Sequence, residues 1–583
     1  MQFKMKVLIL LCSVVSVAFS QNVGTNTQEQ HLSLPMQVCS GPGSCSSEQT
    51  TVVMDANWRW TLLNFRIMQF KMKVLILLCS VVSVAFSQNV GTNTQEQHLS
   101  LPMQVCSGPG SCSSEQTTVV MDANWRWTHK TNEFVNCYTG NTWDASICPD
   151  AATCTQNCAV DGIDTNTWSG TYGVTTSGNA LTLKFVTSGP FSKNIGSRVY
   201  LLATEDKYKR LRSHQSGGQC VPPFSSTDAF TATTLAATLA AAKASVDENG
   251  GIALDDLEAT LRKNVKMFQL KNREFSLTVD VSNLPCGLNG AVYFVEMDED
   301  GGLSKYPTNH AGAKYGTGYC DAQCPHDLKW INGETNSDGW VPASNDANSG
   351  AGKYGTCCFE MDIWEANSMA QSFTPHNCAV EGQYRCEGTE CGDNESGDRY
   401  DGVCDKDGCD WAAYRLGQHD FYGPGKTVDT NQPFTLITQF ITSDGTDNGD
   451  LVEIRRIYRQ NGREISNTFA NFPGVPAHDS VTDDYCTDIK NAFGDVQDFA
   501  QKGGMRAMGR ALDRGLVLTM SLWDDHYAFM HWLDATYPEG SSEPGALRGP
   551  CPDDGGDPAE LENTVPNSSF TLSDIRVGPI GSL

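Results

Sequence analysis

Three acidic side chains lie close together in the segment Cys357-Cys-Phe-Glu-Met-Asp-Ile-Trp-Glu-Ala-Asn367. In an extended strand Glu360 and Asp362 point to the same face, because side chains alternate with a period of two. Glu365 is an odd number of positions away, so we expect a bulge near Ile363 and Trp364 that returns it to that face. Carboxyl groups crowded together repel, which can leave one ionised and another protonated at the same pH.

This pair of states is what a retaining glycosidase requires. One carboxylate attacks the anomeric carbon and the other carboxyl protonates the leaving oxygen, at a separation of about 5–5.5 Å. The spacing alone fits a solvated acidic strand edge or a calcium site at least as well. The adjacent Cys357-Cys358 pair and the intervening Trp364 favour the enzymatic interpretation.

Four tryptophans could provide flat surfaces for sugar rings. Trp125 and Trp127 are two positions apart and would share one face of a strand, while Trp523 and Trp532 flank a loop. A single tryptophan is more often a core residue than a sugar platform. The polar neighbours that an apolar core would disfavour are Arg126, Asp524 and His526.

Composition restricts the partner and the compartment. The formal net charge of −27 repels nucleic acids and anionic membranes but is compatible with a neutral glycan. The 23 cysteines indicate disulfides in an oxidising compartment. A basic start, an apolar run over 7–19 and small residues before Gln21 predict a signal peptide and secretion. We expect a monomer that binds a glucan chain without metal or organic cofactor, since carboxylates and water suffice.

We interpret two segments as additions to the domain. Residues 1–61 recur unchanged as 68–128, which indicates a duplication or gene-model fault because folded repeats diverge. We therefore assign 1–67 to the duplicate, 68–87 to a second signal-peptide copy and 88–583 to one catalytic domain without a carbohydrate-binding module. An Ala- and Thr-rich insert is predicted at about 210–266; a surface loop or retained intron is favoured over a regulatory insert.

The remainder predicts an all-β sandwich of two antiparallel sheets with long loops at the strand ends. Short apolar or alternating runs recur between turn residues. These runs are Leu181–Val186, Val199–Ala203, Phe275–Val281, Ala291–Met297, Phe434–Ile441, Leu516–Leu522 and Phe570–Ile575.

Five motifs together resemble glycoside hydrolase family 7, the fungal-type cellobiohydrolases and endoglucanases, over nearly all of 88–582 outside the insert. The motifs are Asp122-Ala-Asn-Trp-Arg-Trp127, Leu284-Pro-Cys-Gly-Leu-Asn-Gly290, Lys314-Tyr-Gly-Thr-Gly-Tyr-Cys-Asp321, Glu360-Met-Asp-Ile-Trp-Glu365 and Ser521-Leu-Trp-Asp-Asp525. The resemblance implies a concanavalin-like β-jelly roll whose loops form a substrate tunnel. It implies retaining hydrolysis of β-1,4-glucan, with cellobiose released processively from reducing chain ends. An endoglucanase of the family, or a non-catalytic glycan-binding jelly roll, are the alternatives.

The resemblance also implies roles for individual residues. Glu360 would be the nucleophile, Glu365 the general acid/base and Asp362 the residue that positions Glu360, with His376 near the acid/base. Trp125 or Trp127, with Trp523 and Trp532, would be glucose platforms. Hydrogen-bond partners of the sugar, any of which could instead brace a loop, would be Asn289, Tyr293, Asp321, Gln323, Asp410, Arg415, Arg456 and Arg548.

The family likeness pairs every cysteine outside the two signal peptides, the duplicate segment 1–67 and the insert. The implied disulfides are Cys106–Cys112, Cys137–Cys158, Cys148–Cys154, Cys286–Cys551, Cys320–Cys358, Cys324–Cys357, Cys378–Cys404, Cys386–Cys391 and Cys409–Cys486. Long loops at Val341–Lys353, Ser443–Glu453 and Thr536–Pro550 favour a tunnel over an open cleft. His526 stands where relatives usually carry Tyr, and the insert follows residues 203–208, which resemble a loop that closes over the substrate tunnel.

Overall fold

The computed structural model describes residues 89–189, 192–203, 264–393 and 399–583, and the backbone of an antiparallel hairpin formed by Leu32–Gly41 and Ser44–Val52. This hairpin belongs to a separate unit, Met1–Phe86, while the rest lies in Ser87–Leu583. Both signal-peptide segments, the loop after Ala203 and nearly all of the predicted insert lie outside the described residues.

Among the described residues, seventeen strands build two large sheets, and we number these strands in chain order. They are β1 Leu99–Ser100, β2 Met103–Gly108, β3 Ser111–Glu115, β4 Thr118–Met121, β5 Val174–Ser177, β6 Ala180–Lys184, β7 Ser197–Leu202, β8 Met267–Phe268, β9 Arg273–Asp280, β10 Leu288–Val295, β11 Glu360–Ala366, β12 Gln371–His376, β13 Phe434–Thr442, β14 Leu451–Gln460, β15 Arg463–Ser466, β16 Leu516–Asp524 and β17 Ser569–Pro579.

The first sheet has the order β12-β11-β10-β16-β7-β4-β1, with β8 beside β16. The second has the order β5-β6-β17-β9-β13-β14-β15, with β2 beside β17 and β3 beside β2. All pairs are antiparallel except β17 with β2. The predicted all-β sandwich is therefore confirmed, and each predicted run coincides with a strand of these sheets or its immediate flank.

Side-chain alternation gives the first sheet two chemically different faces. On β16 the residues Leu518, Met520 and Leu522 are buried in the main core, together with Phe275 and Leu277 of the opposing β9. The intervening positions carry Thr519, Ser521 and Trp523 on the other face. One face thus holds the sandwich together by burial of apolar surface, and the other is free for polar chemistry.

Shorter elements surround the sandwich. The α-helices are α1 Ala151–Asn157, α2 Thr165–Gly170, α3 Asp483–Phe493, α4 Asp498–Gln501, α5 Gly504–Arg514, α6 His531–Asp534 and α7 Pro558–Thr564. The 3₁₀ helices are Ala313–Tyr315 and Gly388–Cys391. The smaller sheets join Asn89–Val90, Thr128–Lys130 and Cys158–Val160; Tyr138–Thr139 and Thr142–Trp143; Val186–Ser188 and Lys193–Ile195; Trp330–Ile331 and Glu334–Thr335; Val341–Pro342 and Gly350–Ala351; Tyr354–Cys357 and Tyr384–Glu387; and Tyr422–Gly423 and Val428–Asp429.

Disulfides cross-link these peripheral segments and the segments that flank the strands. Among the described residues the structure forms nine, and they join the same pairs that the family resemblance implies. Such a number fits an oxidising compartment. Within the described part of the chain, no helix is both long and apolar enough to cross a membrane.

The insert predicted at about 210–266 includes two residues, Val265 and Lys266, that belong to the domain fold. Val265 is fully packed against the end of β7, where it forms a bridge to Leu202. The Lys266 N–H donates to the Leu201 carbonyl at 2.7 Å, and its ammonium pairs with Glu115 at 2.6 Å. These residues belong to the domain fold, because their backbone and side chains complete its pairing and core.

Candidate active site

The three acidic residues lie on β11, and a bulge brings them to one face. In the pairing with β10, Tyr293 lies opposite Asp362 and Val292 lies opposite Trp364, so Ile363 has no partner. The pairing with β12 is displaced over the same residues. The extra residue reverses the alternation after Asp362, which returns Glu365 to the polar face. The bulge predicted near Ile363 and Trp364 is present.

Each carboxyl group is held by a different donor. Glu360 accepts the Ala322 N–H at 3.0 Å, and Glu365 accepts the amide of Asn289 at 2.9 Å. Asp362 Oδ2 lies 3.0 Å from His376 Nε2. The hydrogen-bonding partner of the histidine in the trio is thus Asp362, although its charge also acts on Glu365. A separate neighbouring group therefore helps to orient each of the three carboxyls.

Burial and mutual repulsion raise the pKa values of all three. Burial raises the pKa of Glu360 well above its usual range, and the charges of Asp362 and Asp321 add to this. Burial and the charge of Glu365 likewise raise the pKa of Asp362. Burial raises the pKa of Glu365, against the opposing effects of His376 and Asn289. The cluster therefore retains protons at pH values where exposed carboxyls are ionised.

The contact between His376 and Asp362 helps to decide between acid–base chemistry and a calcium site. Ligand atoms of Glu360, Asp362 and His376 lie within 4.8 Å of one another, a spacing that a cation could use. However, His376 Nδ1 lies 2.8 Å from the Asp405 carbonyl, so this nitrogen is the proton donor. Nε2 and the Asp362 oxygen must then share one further proton between them. The group beside Asp362 is a proton-sharing histidine, which suits acid–base chemistry.

A chain of polar groups continues along the face from Glu360. Tyr319 donates to Asp321 at 2.6 Å, and its hydroxyl lies 2.9 Å from that of Tyr293. The Arg198 guanidinium lies 3.4 Å from the centre of the Tyr319 ring and bonds to Asp122 at 2.8 Å. The sequence arguments missed Arg198, Tyr319 and Asp122. An arginine in the otherwise apolar Ser197-Arg-Val-Tyr-Leu-Leu202 was the available signal.

Buried polar atoms line the same face without protein partners. Within the described residues, Thr519 Oγ1, Ser521 Oγ and Arg198 Nη2 have no hydrogen-bond partner although they are buried. Such atoms are costly unless a ligand or water satisfies them. Their position beside the carboxyl trio makes this face suited to a hydroxyl-rich ligand.

The tryptophans divide into two sets. Trp523 and Trp532 stack with ring centres 6.1 Å apart and planes inclined by 25°, and Trp532 donates to Asp525 at 3.0 Å. Trp125 and Trp127 do not share a strand face, because β4 ends at Met121 and a turn follows. Trp125 instead donates to the Gly196 carbonyl, and Trp127 stacks on His129. The N–H groups of Trp125 and Arg126 donate to the carbonyls of Asp122 and Ala123, and these bonds form a turn in place of the predicted strand.

Four predicted sugar-binding residues occupy two further groups. Arg415 bonds to Asp410 at 2.7 Å and to Asp495 at 2.9 Å. Arg548 is close enough to interact with the charges of Arg415, Asp410 and Asp495. Burial and the nearby Arg415 lower the pKa of Arg548 to about 10. Gln323 is exposed and donates to the Lys406 carbonyl at 2.8 Å, so in this structure its side chain braces a loop.

Arg456 lies between the sheets rather than on the polar face. It is 0% exposed, bonds to the carbonyl of the bulged Ile363, and lies 4.4 Å over the Phe373 ring. Its position on β14 faces the back of β11, because residues of β14 alternate between core and solvent. Arg456 therefore supports the bulge from behind.

The three long loops also differ in position. Val341–Lys353 contains the small hairpin of Val341–Pro342 and Gly350–Ala351. Thr536–Pro550 reaches the Arg415 group, since Arg415 Nε donates to the Gly545 carbonyl at 2.9 Å. Ser443–Glu453 connects β13 to β14 in the second sheet and contacts Arg273 through Asp447. This last loop therefore does not cover the polar face.

Known proteins resemble this chain in sequence and in structure. The family model described as glycosyl hydrolase family 7 matches residues 23–67, 90–216 and 254–583. Exoglucanase GH7B of Limnoria quadripunctata is 54% identical over 509 residues, which cover 87% of this chain and 99% of that relative. The gap between the last two of these ranges, 217–253, falls inside the predicted insert.

Solved structures are similar over the same region. A GH7 family cellobiohydrolase from Daphnia pulex has a TM-score of 0.74 and 51% identity, covering 85% of this chain and 100% of that one. A cellobiohydrolase from Melanocarpus albomyces, solved with cellotetraose, has a TM-score of 0.70 and 40% identity, covering 85% of this chain and 99% of that one.

Proposed function

Because the chain belongs to glycosyl hydrolase family 7, we propose that it hydrolyses the β-1,4 bonds of cellulose with retention of configuration, releasing cellobiose from chain ends. The observation that carries this proposal is the bulge at Ile363, which places Glu365 on the face of Glu360 and Asp362. Without the bulge the two glutamates would face opposite sides of the sheet.

Glu360 acts as the nucleophile and Glu365 as the general acid. An oxygen of Glu360 attacks the anomeric carbon while Glu365 gives its proton to the leaving oxygen, and the glycosidic bond breaks. Water then attacks the glycosyl ester and gives a proton to Glu365, which frees Glu360. Each displacement inverts the carbon, so the product keeps the starting configuration.

The hydrogen bonds around the trio support this division of roles, whereas burial and the charges of Asp362 and Asp321 raise the pKa of Glu360 more strongly than burial raises that of Glu365. The Ala322 N–H stabilises negative charge on Glu360, and the side chain of Asp362 lies within hydrogen-bonding reach of the same group. Burial favours the protonated form of Glu365, which the first step needs. Asp362, held by His376, is thus a positioning residue for the nucleophile.

The polar face supplies the binding surface for the chain. The unpartnered hydroxyls of Thr519 and Ser521 and the unpartnered Nη2 of Arg198 can bond sugar hydroxyls, and the stacked Trp523 and Trp532 present flat apolar surfaces. Asp321 and Tyr293 continue this surface beside Glu360. The Asp410, Arg415 and Arg548 group, reached by the loop Thr536–Pro550, forms a second polar surface for sugar binding.

Replacement of the nucleophile tests the proposal. Glu360→Gln is expected to lower the hydrolysis rate of a soluble aryl cellobioside by at least about 1,000-fold, because an amide cannot form the ester. Glu464→Gln, at an exposed glutamate, is the matched control and should act at the normal rate. Full activity of Glu360→Gln, or an inverted anomer in NMR of fresh product, would contradict the mechanism. A glycan-binding lectin would bind in both forms and cleave in neither.

We further propose that the secreted, mature domain begins near Gln88 and that the insert spans about 210–263. The gap in the family match and the disulfide content support this arrangement. Peptide mass mapping of protein from the culture medium tests it. Peptides from 21–67 in the mature protein would contradict the assignment of that segment as an artefact.

A further inference from the structure

The pattern Asn-X-Ser/Thr, which marks acceptors of N-linked glycans in secreted proteins, occurs twice in the sequence. The two places are Asn394-Glu-Ser396 and Asn567-Ser-Ser569. In this pattern the asparagine amide accepts the sugar, and the hydroxyl two positions later is part of the recognised motif. Residues 394–396 lie outside the described part of the chain, so the structure locates only the second pattern.

Asn567 lies in the turn between α7 and β17, where it is exposed. Within the described residues its side-chain amide forms no hydrogen bond, whereas its backbone carbonyl accepts Asn283 Nδ2 at 3.0 Å. The same Nδ2 donates to the Ser569 hydroxyl at 3.2 Å. The acceptor side chain can therefore carry a large substituent, while the backbone that holds it is fixed.

Further backbone bonds attach this turn to neighbouring segments. The carbonyls of Pro566 and Ser568 accept the N–H groups of Val186 and Phe185 at 3.1 and 2.8 Å. None of these bonds uses the Asn567 amide. A glycan on that amide can therefore be accommodated without the loss of any of them.

A second exposed asparagine in the same region differs in both respects. Asn563 in α7 is followed by Thr564 and Val565, so no hydroxyl stands two positions after it. Its Nδ2 is already engaged, because it donates to the Ala559 carbonyl at 2.6 Å. Asn563 is therefore a matched comparison for Asn567.

We propose that Asn567 carries an N-linked oligosaccharide in the secreted protein. The Asn567 amide nitrogen attacks the anomeric carbon of an oligosaccharide that is carried by a polyprenyl diphosphate. A carbon–nitrogen bond forms, the bond from that carbon to the diphosphate oxygen breaks, and the nitrogen loses one proton as the lipid diphosphate leaves. This inference rests on the proposed secretion of the domain and is independent of the proposed hydrolysis.

The modified turn stands apart from the carboxyl trio. It precedes β17 in the second sheet, whereas the trio lies on β11 in the first. Within the described residues, no hydrogen bond joins 565–569 to the trio. Loss of the glycan in Asn567→Gln should therefore leave the rate on a soluble aryl cellobioside within about twofold of that of the unmodified protein.

Peptide mapping of protein secreted by a eukaryotic host tests the proposal. Digestion with an N-glycosidase in heavy-oxygen water converts a glycosylated asparagine into isotope-labelled aspartate. The tryptic peptide 549–576 contains both asparagines, and we expect the label at Asn567 and not at Asn563. Asn567→Gln and Ser569→Ala should abolish the label, and both should migrate faster than the unmodified protein on a denaturing gel until the samples are deglycosylated. Ser569→Thr, which keeps the hydroxyl, and the control Asn563→Gln should retain the label.

The contrary results are specific to the glycan. An unlabelled Asn567 in this peptide of the secreted protein would overturn the proposal. A label that persists in Ser569→Ala would overturn its basis in the acceptor pattern. Either result leaves the proposed hydrolysis intact if cellulose is still cleaved, whereas a labelled protein that cleaves no cellulose would overturn the proposed function and support the glycan.

Discussion

Replacing Asp534 by Asn removes a buried charge and keeps the hydrogen bonds around it. One carboxylate oxygen of Asp534 accepts the Gly287 N–H at 2.8 Å and the Asn367 amide at 2.6 Å, and the introduced amide oxygen can accept both. Burial raises the pKa of Asp534 to about 6 despite these two bonds. These contacts link α6, which carries Trp532, to Asn367 at the end of β11, the strand that carries the three acidic residues.

The effect on stability follows from this raised pKa. The pKa of an exposed Asp is about 3.9, so the difference is about 2 pKa units, equivalent to about 3 kcal/mol. Because the folded state binds the proton more tightly, the stabilisation is complete below about pH 4 and is lost as the pH rises through about 6. Asp534→Asn should remove this part of the pH dependence. Its free energy of unfolding, relative to the unmodified protein, should rise by about 3 kcal/mol between pH 4 and pH 7.

Urea unfolding at several pH values, with disulfides intact, measures this difference. Asp553→Asn is an informative control, because the exposed Asp553 has a lowered pKa through its bond to the Thr536 N–H. Loss of that carboxylate should therefore reduce stability at higher pH, the opposite sign. A stability difference between Asp534→Asn and the unmodified protein that is the same at every pH would refute the reasoning.

Three further predictions concern catalysis. Arg456→Met keeps the buried volume but loses the hydrogen bond to the Ile363 carbonyl in the bulge. Because this bond supports the bulge, kcat on an aryl cellobioside should fall about 10- to 100-fold. Arg455→Ala, on the exposed face of the same strand, is the control and should have no effect. Asn289→Ala removes a bond that lowers the pKa of Glu365, so the alkaline limb of the kcat/KM profile should move to higher pH. Trp532→Ala should weaken cellobiose binding about tenfold in calorimetry through loss of the stacked surface.

Each of these has a distinct contrary result. Unchanged kcat in Arg456→Met would show that the bulge needs no support from behind. An alkaline limb that stays in place or moves to lower pH in Asn289→Ala would contradict the assigned acid. Undiminished cellobiose affinity in Trp532→Ala would place the binding surface elsewhere.

Much of this protein follows from the sequence by itself. Apolar and alternating runs, as in Leu516–Leu522, are a local pattern, and they correctly predicted the strands of the two large sheets. The odd spacing of Glu365 was enough to require a bulge. The family motifs implied the disulfide pairs, which no spacing argument could have derived.

Only the tertiary structure decided which groups surround the trio. The support of Ile363 by Arg456 depends on how the second sheet packs behind β11, and β14 lies far away along the chain. The turn that separates Trp125 from Trp127 depends on backbone bonds within a motif that also fits a strand. Asn345 and His526 are hydrogen-bonded to each other, although they lie in loops that the sequence separates widely. Local patterns specify which face a side chain takes, whereas its partners depend on long-range packing that the pattern does not encode.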